Sequence, residues 1–218
     1  MARTESTRVS QKLVRSFANT TLIDIALEKL NQMDFVDDRV LAVGEDVFVE
    51  KAKPYPNIRI MKRSRESIAK GHAPLHIRYE THYLIETDYI LWFNPCHPFM
   101  SLDTLYKATE IVKRDCHNSF TSVISSNDWV FDANGNPVTH KDPTITATNQ
   151  DLARTKVAHA FHIQKPDNFR SYGIPWSLTK NDPALIRISE EEALDIDTEL
   201  EFSLCELLYC KYNRLDIF

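Results

Sequence analysis

Two hydrophobic periods alternate along the chain. Leu22, Ile23, Ala26, Leu27, Leu30 and Met33 recur at helical spacing behind a polar Thr20-Thr21 start, which predicts a helix. Arg39 to Val43 is a short β-branched run closed by Gly44 and reads as a buried strand. A short amphipathic helix is predicted from roughly Asp46 to Lys53, ending before Pro54, and a second strand from Ile58 to Met61. Lys62 to Pro74 is polar and basic with no period and reads as a loop, and Ile77 to Glu86 reads as helical. Tyr89 to Phe93 is an unbroken apolar strand that stops at Asn94-Pro95. A helix follows from about Leu102 to Lys113, with Asp103 in its first turn, where negative charge suits the helix dipole. Ser119 to Ile124, Val157 to Ile163 and Leu185 to Ile188 read as strands, and Pro166 opens a short helix through Tyr172. Asn134-Gly135, between Trp129–Phe131 and Pro137–Val138, is a hairpin turn signal. The last helix, from about Thr198 to Tyr209, is apolar at Leu200, Leu204, Leu207 and Leu208.

Strands alternating with helices over more than half the chain predict one α/β domain, residues 1–218, with a largely parallel sheet. The hairpin breaks that alternation and predicts a small antiparallel insertion over 127–156. A length of 218 residues suffices to bury about 70% of the unfolded chain's surface. Lys and Arg number 26 against 31 Asp and Glu, a net charge of −5, so no basic surplus points to nucleic acid or an anionic membrane. No apolar stretch approaches the ~18 residues of a membrane span. The four cysteines (Cys96, Cys116, Cys205, Cys210) have no CxxC spacing and follow no secretory leader. A soluble, cytoplasmic protein with reduced thiols is expected. The four glycines (Gly44, Gly71, Gly135, Gly173) are too few and too scattered for a GxGxxG or Walker-type phosphate loop. Any phosphate must therefore be held by side chains and helix ends.

Two clusters could hold one. Arg3, Arg8 and Lys12 share the first twelve residues with the hydroxyls of Thr4, Ser6, Thr7 and Ser10. Guanidinium groups grip phosphate oxygens in pairs and lysine acts as a point charge; a frayed polar terminus is the simpler reading. Near the other end stands Asp195-Ile196-Asp197, behind Glu190, Glu191 and Glu192. Residues i and i+2 of an extended segment share one side, so both aspartates could face one hard cation such as Mg²⁺. Capping of the last helix by Asp197 or Thr198 explains the same acids without a metal. His72, His76 and His82, and the Cys96-His97 and Cys116-His117 pairs, match no zinc spacing. His159 and His162 fall in an apolar strand, where a hydrogen-bonded structural histidine is the default.

In order along the chain, these segments resemble the CMP-sugar-acid synthetases, the acylneuraminate cytidylyltransferase and CMP-deoxyoctulosonate synthetase family. Ala2-Arg3-x-x-Ser6-x-Arg8-Val9-x-x-Lys12, followed by Leu22-Ile23, is similar to that family's A-R-x-x-S-x-R-[IV]-x-x-K loop and P-L-I helix start. Leu91 to Phe99 resembles L-Q-P-T-S-P-L, with Asn94, Pro95 and Pro98 in step. Asn149 to Leu152 resembles R-Q-D-L, and Ala160 to Ile163 resembles A-F-Y-I. Asp195-Ile196-Asp197-Thr198, with Glu199 and Phe202, resembles D-I-D-T-x-x-D-F.

The resemblance implies a Rossmann-like, three-layer nucleotidyltransferase (GT-A-like) fold and transfer of CMP from CTP to the anomeric hydroxyl of an acidic sugar, with release of pyrophosphate. It implies that Arg3, Ser6, Arg8 and Lys12 hold the triphosphate, that Arg63 and Gly71 lie at the nucleotide, and that Asn94, Gln150 and Phe161 meet the sugar. Asp195 and Asp197 would coordinate Mg²⁺, and Lys12, Arg8 and Asp197 would carry the catalysis. It further implies a homodimer, whose 127–156 arm lends Arg154 and Lys156 to the neighbouring site. The chain departs from the pattern at Asn149, where arginine is expected, at Ala158-His159 in place of Asn-Gly, and at Cys96-His97 in place of Thr-Ser. An opening strand ahead of Arg3 is absent or not included. A catalytically degenerate nucleotide- or sugar-binding relative and a metal-dependent glycosyltransferase using the DxD are the competing expectations.

Overall fold

The computed structural model describes residues 9–69, 73–139 and 154–215. A two-residue antiparallel pair, β1 (Ser16–Phe17) and β2 (Thr20–Thr21), leads into α1 (Leu22–Asn31). Thr21 caps α1, its Oγ1 accepting the Asp24 amide at 3.2 Å. Leu22, Ile23, Ala26 and Leu27 are buried, the face the periodicity predicts. β3 (Val40–Val43), α2 (Asp46–Ala52) and β4 (Arg59–Lys62) follow as a βαβ unit with parallel pairing from Val40 opposite Arg59 to Val43 opposite Lys62. The segment read as a loop contains a single helical turn, α3 (Arg65–Ile68), because Ser64 Oγ accepts the Ser67 amide; four residues are too few to show a period. The helix expected over 77–86 is broken into α4 (Leu75–Arg78) and a 3₁₀ stretch, Glu80–Leu84.

β5 (Ile90–Phe93) is followed by α5 (Leu102–Arg114), capped by Ser101, and β6 (Ser119–Ser126). Phe131 and Pro137 bridge antiparallel across Asn134-Gly135, with Gly135 at φ +82°, as the turn signal predicts. β7 (Arg154–Gln164), α6 (Asn168–Tyr172), β8 (Ala184–Arg187) and α7 (Glu199–Asn213) complete the order. The larger sheet runs β5-β7-β6-β8, with β6 and β8 parallel and β7 antiparallel to both β5 and β6. Antiparallel pairing is thus not confined to the hairpin insertion.

Two cores hold these layers. One joins Val9, Leu13 and Phe17 to α1, β3, α2, Ile196, and Phe202 and Cys205 of α7; the other joins Met100, Leu105, Phe120, Phe161, Ile163 and Ile186. The buried side of α7 carries Phe202, Cys205 and Cys210, whereas Leu200 is 78% exposed and Leu204 and Leu207 are exposed with it. Phe17 meets the Phe202 ring edge-on, with centroids 5.3 Å apart, and fixes which face turns inward. β3 pairs only with β4, and β5 only with β7, among the described strands. An apolar cavity of about 400 Å³ lies between these two strands, lined by Val40 to Ala42, Ile90 to Phe93, and side chains of α1 and α5. No helix among the described residues is long and apolar enough to cross a membrane.

Candidate functional site

Lys12 of the first cluster and the Asp195-Ile196-Asp197 segment, some 184 residues apart in sequence, meet in space. Lys12 lies in a tight turn where the amides of Val14 and Arg15 both donate to the Gln11 carbonyl at 2.9 Å. Val9 and Leu13 on either side of it are buried in the first core, which fixes the turn and leaves the Lys12 side chain 12% exposed. Its Nζ donates to the Ile196 carbonyl and to Asp197 Oδ1, the latter at 3.2 Å. Ile196 is fully buried in that same core, so alternation along the extended segment puts Asp195 and Asp197 on the opposite side. The Ile196 backbone is held at both ends, because its amide donates to the Cys96 carbonyl at 3.1 Å.

Capping of α7 is carried by the next residues. Thr198 Oγ1 accepts the Glu201 amide, and Glu201 Oε2 accepts the amides of Thr198 at 2.7 Å and Asp197 at 2.8 Å. The Asp197 carboxylate meets Lys12 instead. Arg15 marks the rim, paired with Glu199 at 2.7 Å and stacked over Phe202.

The loop after β5 forms the floor. The Asn94 amide donates to the Ala160 carbonyl at 2.8 Å, and Asn94 Oδ1 accepts the Cys96 amide at 3.1 Å. His97 Nε2 lies 3.1 Å from the Ala158 carbonyl, and its Nδ1 lies 3.8 Å from Asp195 Oδ1. Both β7 carbonyls come from a bulge, where the pairing of β6 with β7 shifts between Thr121 and Val123 and His159 takes φ +56°. His159 stands where the resembled pattern has glycine, the residue that adopts a left-handed φ without strain. His159 Nδ1 is 3.3 Å from His162 Nε2, and His162 Nδ1 is 2.8 Å from Thr121 Oγ1; the His162 ring stacks on Trp92.

The electrostatics follow from this packing. Burial works against the charge on Lys12, yet Cys96 and the Asp197 carboxylate outweigh it and hold the ammonium above the usual lysine value. Burial pushes the Cys96 thiol up as well. Burial pushes His97 down to about 4 and His162 down to about 3, leaving both rings neutral. Among the described residues, the Lys12 ammonium meets the Asp197 carboxylate, with Asp195 on the same side of the segment. No group of three or more His, Cys, Asp or Glu side chains among the described residues is arranged to hold a metal.

The remaining expected residues divide in three. Arg3, Ser6, Arg8, Gly71 and Gln150 lie outside the described residues. Arg63 is a clamp of its own segment, its Nε donating to Ser67 Oγ at 3.0 Å and its Nη2 to the carbonyls of Ser67 at 2.7 Å and Arg78 at 3.2 Å. Phe161 is fully buried in the second core and has no surface to offer a sugar, so its expected place at the sugar is corrected to packing. Cys96 and His97 sit beside the acidic segment although neither was a candidate. The sequence signals for them were the adjacent Cys-His pair, set aside because it matches no zinc spacing, and the departure from Thr-Ser at those two positions.

Comparison with protein-family models and with curated proteins gives no match. Among solved structures, a CMP:2-keto-3-deoxy-manno-octonic acid synthetase complexed with CTP is similar over 97% of this chain and 96% of that one, with a TM-score of 0.71 and 10% identity. A 4-diphosphocytidyl-2C-methyl-D-erythritol synthase from Anaerococcus prevotii DSM 20548 matches over 90% of this chain and 92% of its own, with a TM-score of 0.64 and 12% identity. A further 4-diphosphocytidyl-2C-methyl-D-erythritol synthase matches over 91% and 94%, with a TM-score of 0.63 and 15% identity. At such identities the likeness is one of architecture: the chain has the α/β fold shared by these synthases and the CTP-complexed synthetase.

Proposed function

We propose that the chain is a CTP-dependent nucleotidyltransferase that transfers CMP to the anomeric hydroxyl of an acidic sugar and releases pyrophosphate. The observation that carries this reading is the meeting of Lys12 with Asp197 across the Asp195-Ile196-Asp197 segment. It unites the two ends of the resembled pattern in one place, on a fold whose neighbours include a synthetase complexed with CTP.

In the reaction the sugar oxygen attacks the α-phosphorus, the bond to the β-phosphate oxygen breaks, and the hydroxyl proton is released. Such a transfer asks the protein for in-line positioning and charge neutralisation. Asp195 and Asp197 would hold Mg²⁺. Two carboxylates, with no third ligand grouped with them among the described residues, fit an ion that completes its shell with substrate phosphates and water. When bound, Mg²⁺ supplies charge neutralisation at the phosphates. Lys12 has three donors. Two are engaged by Ile196 and Asp197, and the third rests near the Cys96 thiol, a weak acceptor that a phosphate oxygen outcompetes. Lys12 would then neutralise the departing pyrophosphate, joined by Arg8, Arg3 and Ser6. Asn94 would meet the sugar acid from the loop that its own amide fastens to β7.

The exposed apolar hairpin, with Trp129 at 57% and Phe131 at 56% exposure, supports the reading of 127–156 as a dimerisation arm. A sedimenting dimer at micromolar concentration is expected, and a monomer refutes the arm. A thermal-shift screen of nucleotides with and without Mg²⁺, followed by pyrophosphate release over a panel of sugar acids, tests the activity. A selective, Mg²⁺-dependent rise with CTP and turnover with one acid are expected. Binding without turnover would favour the degenerate relative, a reading that the interrupted pairing between β3 and β5 supports. Hydrolysis of a nucleotide-sugar donor without CTP would favour a glycosyltransferase.

A further inference from the structure

Main-chain alternation tells which polar groups of β3 and β5 have a strand to bond. The carbonyls of Arg39 and Val43 accept the amides of Arg59 and Arg63, so the odd-numbered residues of β3 bond β4. The N–H and C=O of Val40 and Ala42 therefore point the other way. The Asn94 amide donates to Ala160, so Ile90 and Trp92 bond β7 in step with it, and Leu91 and Phe93 face away. All four residues line the apolar cavity, and their inward N–H and C=O groups have no partner among the described residues. Ala42 is buried, and buried main-chain groups are almost always paired. Two unpaired strand edges that line one apolar gap have the form of a place for one further strand.

We infer that this gap binds an extended segment of a separate polypeptide as a strand between β3 and β5, a run of aliphatic residues flanked by lysine or arginine. The length follows from the edges, each of 4 residues. The aliphatic character follows from the walls, which include Leu27 and Leu30 of α1 and Val112 of α5; strands covered on both faces are continuous apolar runs. The basic flank follows from the rim. Asp37 precedes β3, Glu86 and Asp88 precede β5, and all three are exposed, line the cavity and enter no ion pair among the described residues. Asp38 beside them is paired with Arg59. The chain's remaining segments, 1–8, 70–72, 140–153 and 216–218, contain no run of aliphatic residues of that length. A second copy offers its exposed hairpin, but the apolar run Trp129 to Phe131 is shorter than either edge and stands between Asp128 and Asp132, the wrong charge for this rim. In such strand addition the main chain supplies affinity and the flanking side chains supply selectivity. The inference is independent of the nucleotide reading.

The test adds the peptide acetyl-KKIVVIV-amide to the full chain and follows amide hydrogen exchange residue by residue. Without peptide, the amides of Val40, Ala42, Leu91 and Phe93 should exchange much faster than those of Leu41 and Trp92, which bond β4 and β7. The peptide should slow those four amides and raise Tm. The analogue acetyl-KKIVPIV-amide, whose proline lacks the central N–H, should do neither. The double variant Glu86→Lys/Asp88→Lys, changed at two exposed positions, should bind the peptide about tenfold more weakly. Protection of the four amides without peptide would mean that the chain fills the gap itself, and would overturn the inference. Absence of peptide binding, equal action of the proline analogue, or undiminished binding by the double variant would overturn it as well.

Discussion

Replacing Lys12 by alanine removes an ammonium that ties the amino-terminal turn to the acidic segment. Two charge-assisted hydrogen bonds disappear, to the Ile196 carbonyl and to Asp197. Such bonds contribute about 1.5–3 kcal/mol each when fully enclosed. The Asp197 side chain is 32% exposed, so water takes over part of its share. A net loss of about 2 kcal/mol remains, which for a chain of this size lowers Tm by about 4–8 °C. Lys12→Ala should therefore fold, with a lower midpoint in thermal and urea melts. If Lys12 also neutralises the leaving pyrophosphate, turnover falls about a hundredfold beyond that, from loss of about 3 kcal/mol in the transition state. Asp197→Ala should lose most turnover in the same way. In the stability assay the double variant should cost less than the sum of the singles, by about 1 kcal/mol. Strict additivity would mean that the two side chains do not meet in solution, and unchanged pyrophosphate release in either single variant would remove Lys12 or Asp197 from the proposed chemistry.

Acid should destabilise the fold well above the carboxylate range. Burial lowers the folded-state pKa of His82 and His162 to about 3. The unfolded chain therefore binds protons first, and stability present above pH 6.5 is lost as pH falls toward 3. At pH 5 each group contributes a loss of about 2 kcal/mol, so the urea midpoint should drop sharply between pH 7 and 5, and a flat profile would show these rings to be solvated. Ile196→Ala should cost about 2–5 kcal/mol by opening a cavity in the first core and should reduce turnover through Asp195 and Asp197; retained stability in a urea melt would contradict its burial. At Gly44 a Cβ would come 2.6 Å from Ile68 Cγ2. Gly44→Ala should therefore cost about 1–3 kcal/mol, read as a lowered Tm, and an unshifted melt would show that α3 gives way freely.

Much of this was legible because it depends on local rules. The α1 face follows a clean three-to-four spacing ended by a threonine cap, and the Asp195-Ile196-Asp197 alternation places one buried residue between two acids in any extended backbone. The α7 face was harder to read, because apolar residues surround that helix. Leu200, Leu204 and Leu207 form as good a stripe as Phe202 and Cys205, and only contact with Phe17 decides between them. The choice between capping and cation binding at Asp197 was equally closed to the sequence: Thr198 and Glu201 had to be seen sharing the cap before the aspartate could be assigned elsewhere. Phe161 shows the opposite failure, a motif match in register whose side chain points into the core. His97 was invisible as a site residue because its position depends on a bulge some 60 residues downstream, at a histidine with positive φ.

The interrupted sheet bears on how the site holds together. In an α/β domain, loops at strand ends are normally located by the sheet itself, yet β3 and β5 do not pair and an apolar cavity separates them. The Lys12 turn does not depend on that pairing. Val9 and Leu13 pack into the same core as Ile196 and Phe202, so the cation and the acidic segment are positioned by one hydrophobic cluster and by the Cys96–Ile196 backbone bond. The loop carrying Asn94, Cys96 and His97 is fixed from the other side, by the β7 bulge. Convergence of Lys12 with the acidic segment is therefore a property of core packing and does not depend on pairing between β3 and β5. The order of fragility follows. Substitutions in the first core should disturb the acids and Lys12 together, whereas changes confined to the walls of the cavity should alter stability without separating them.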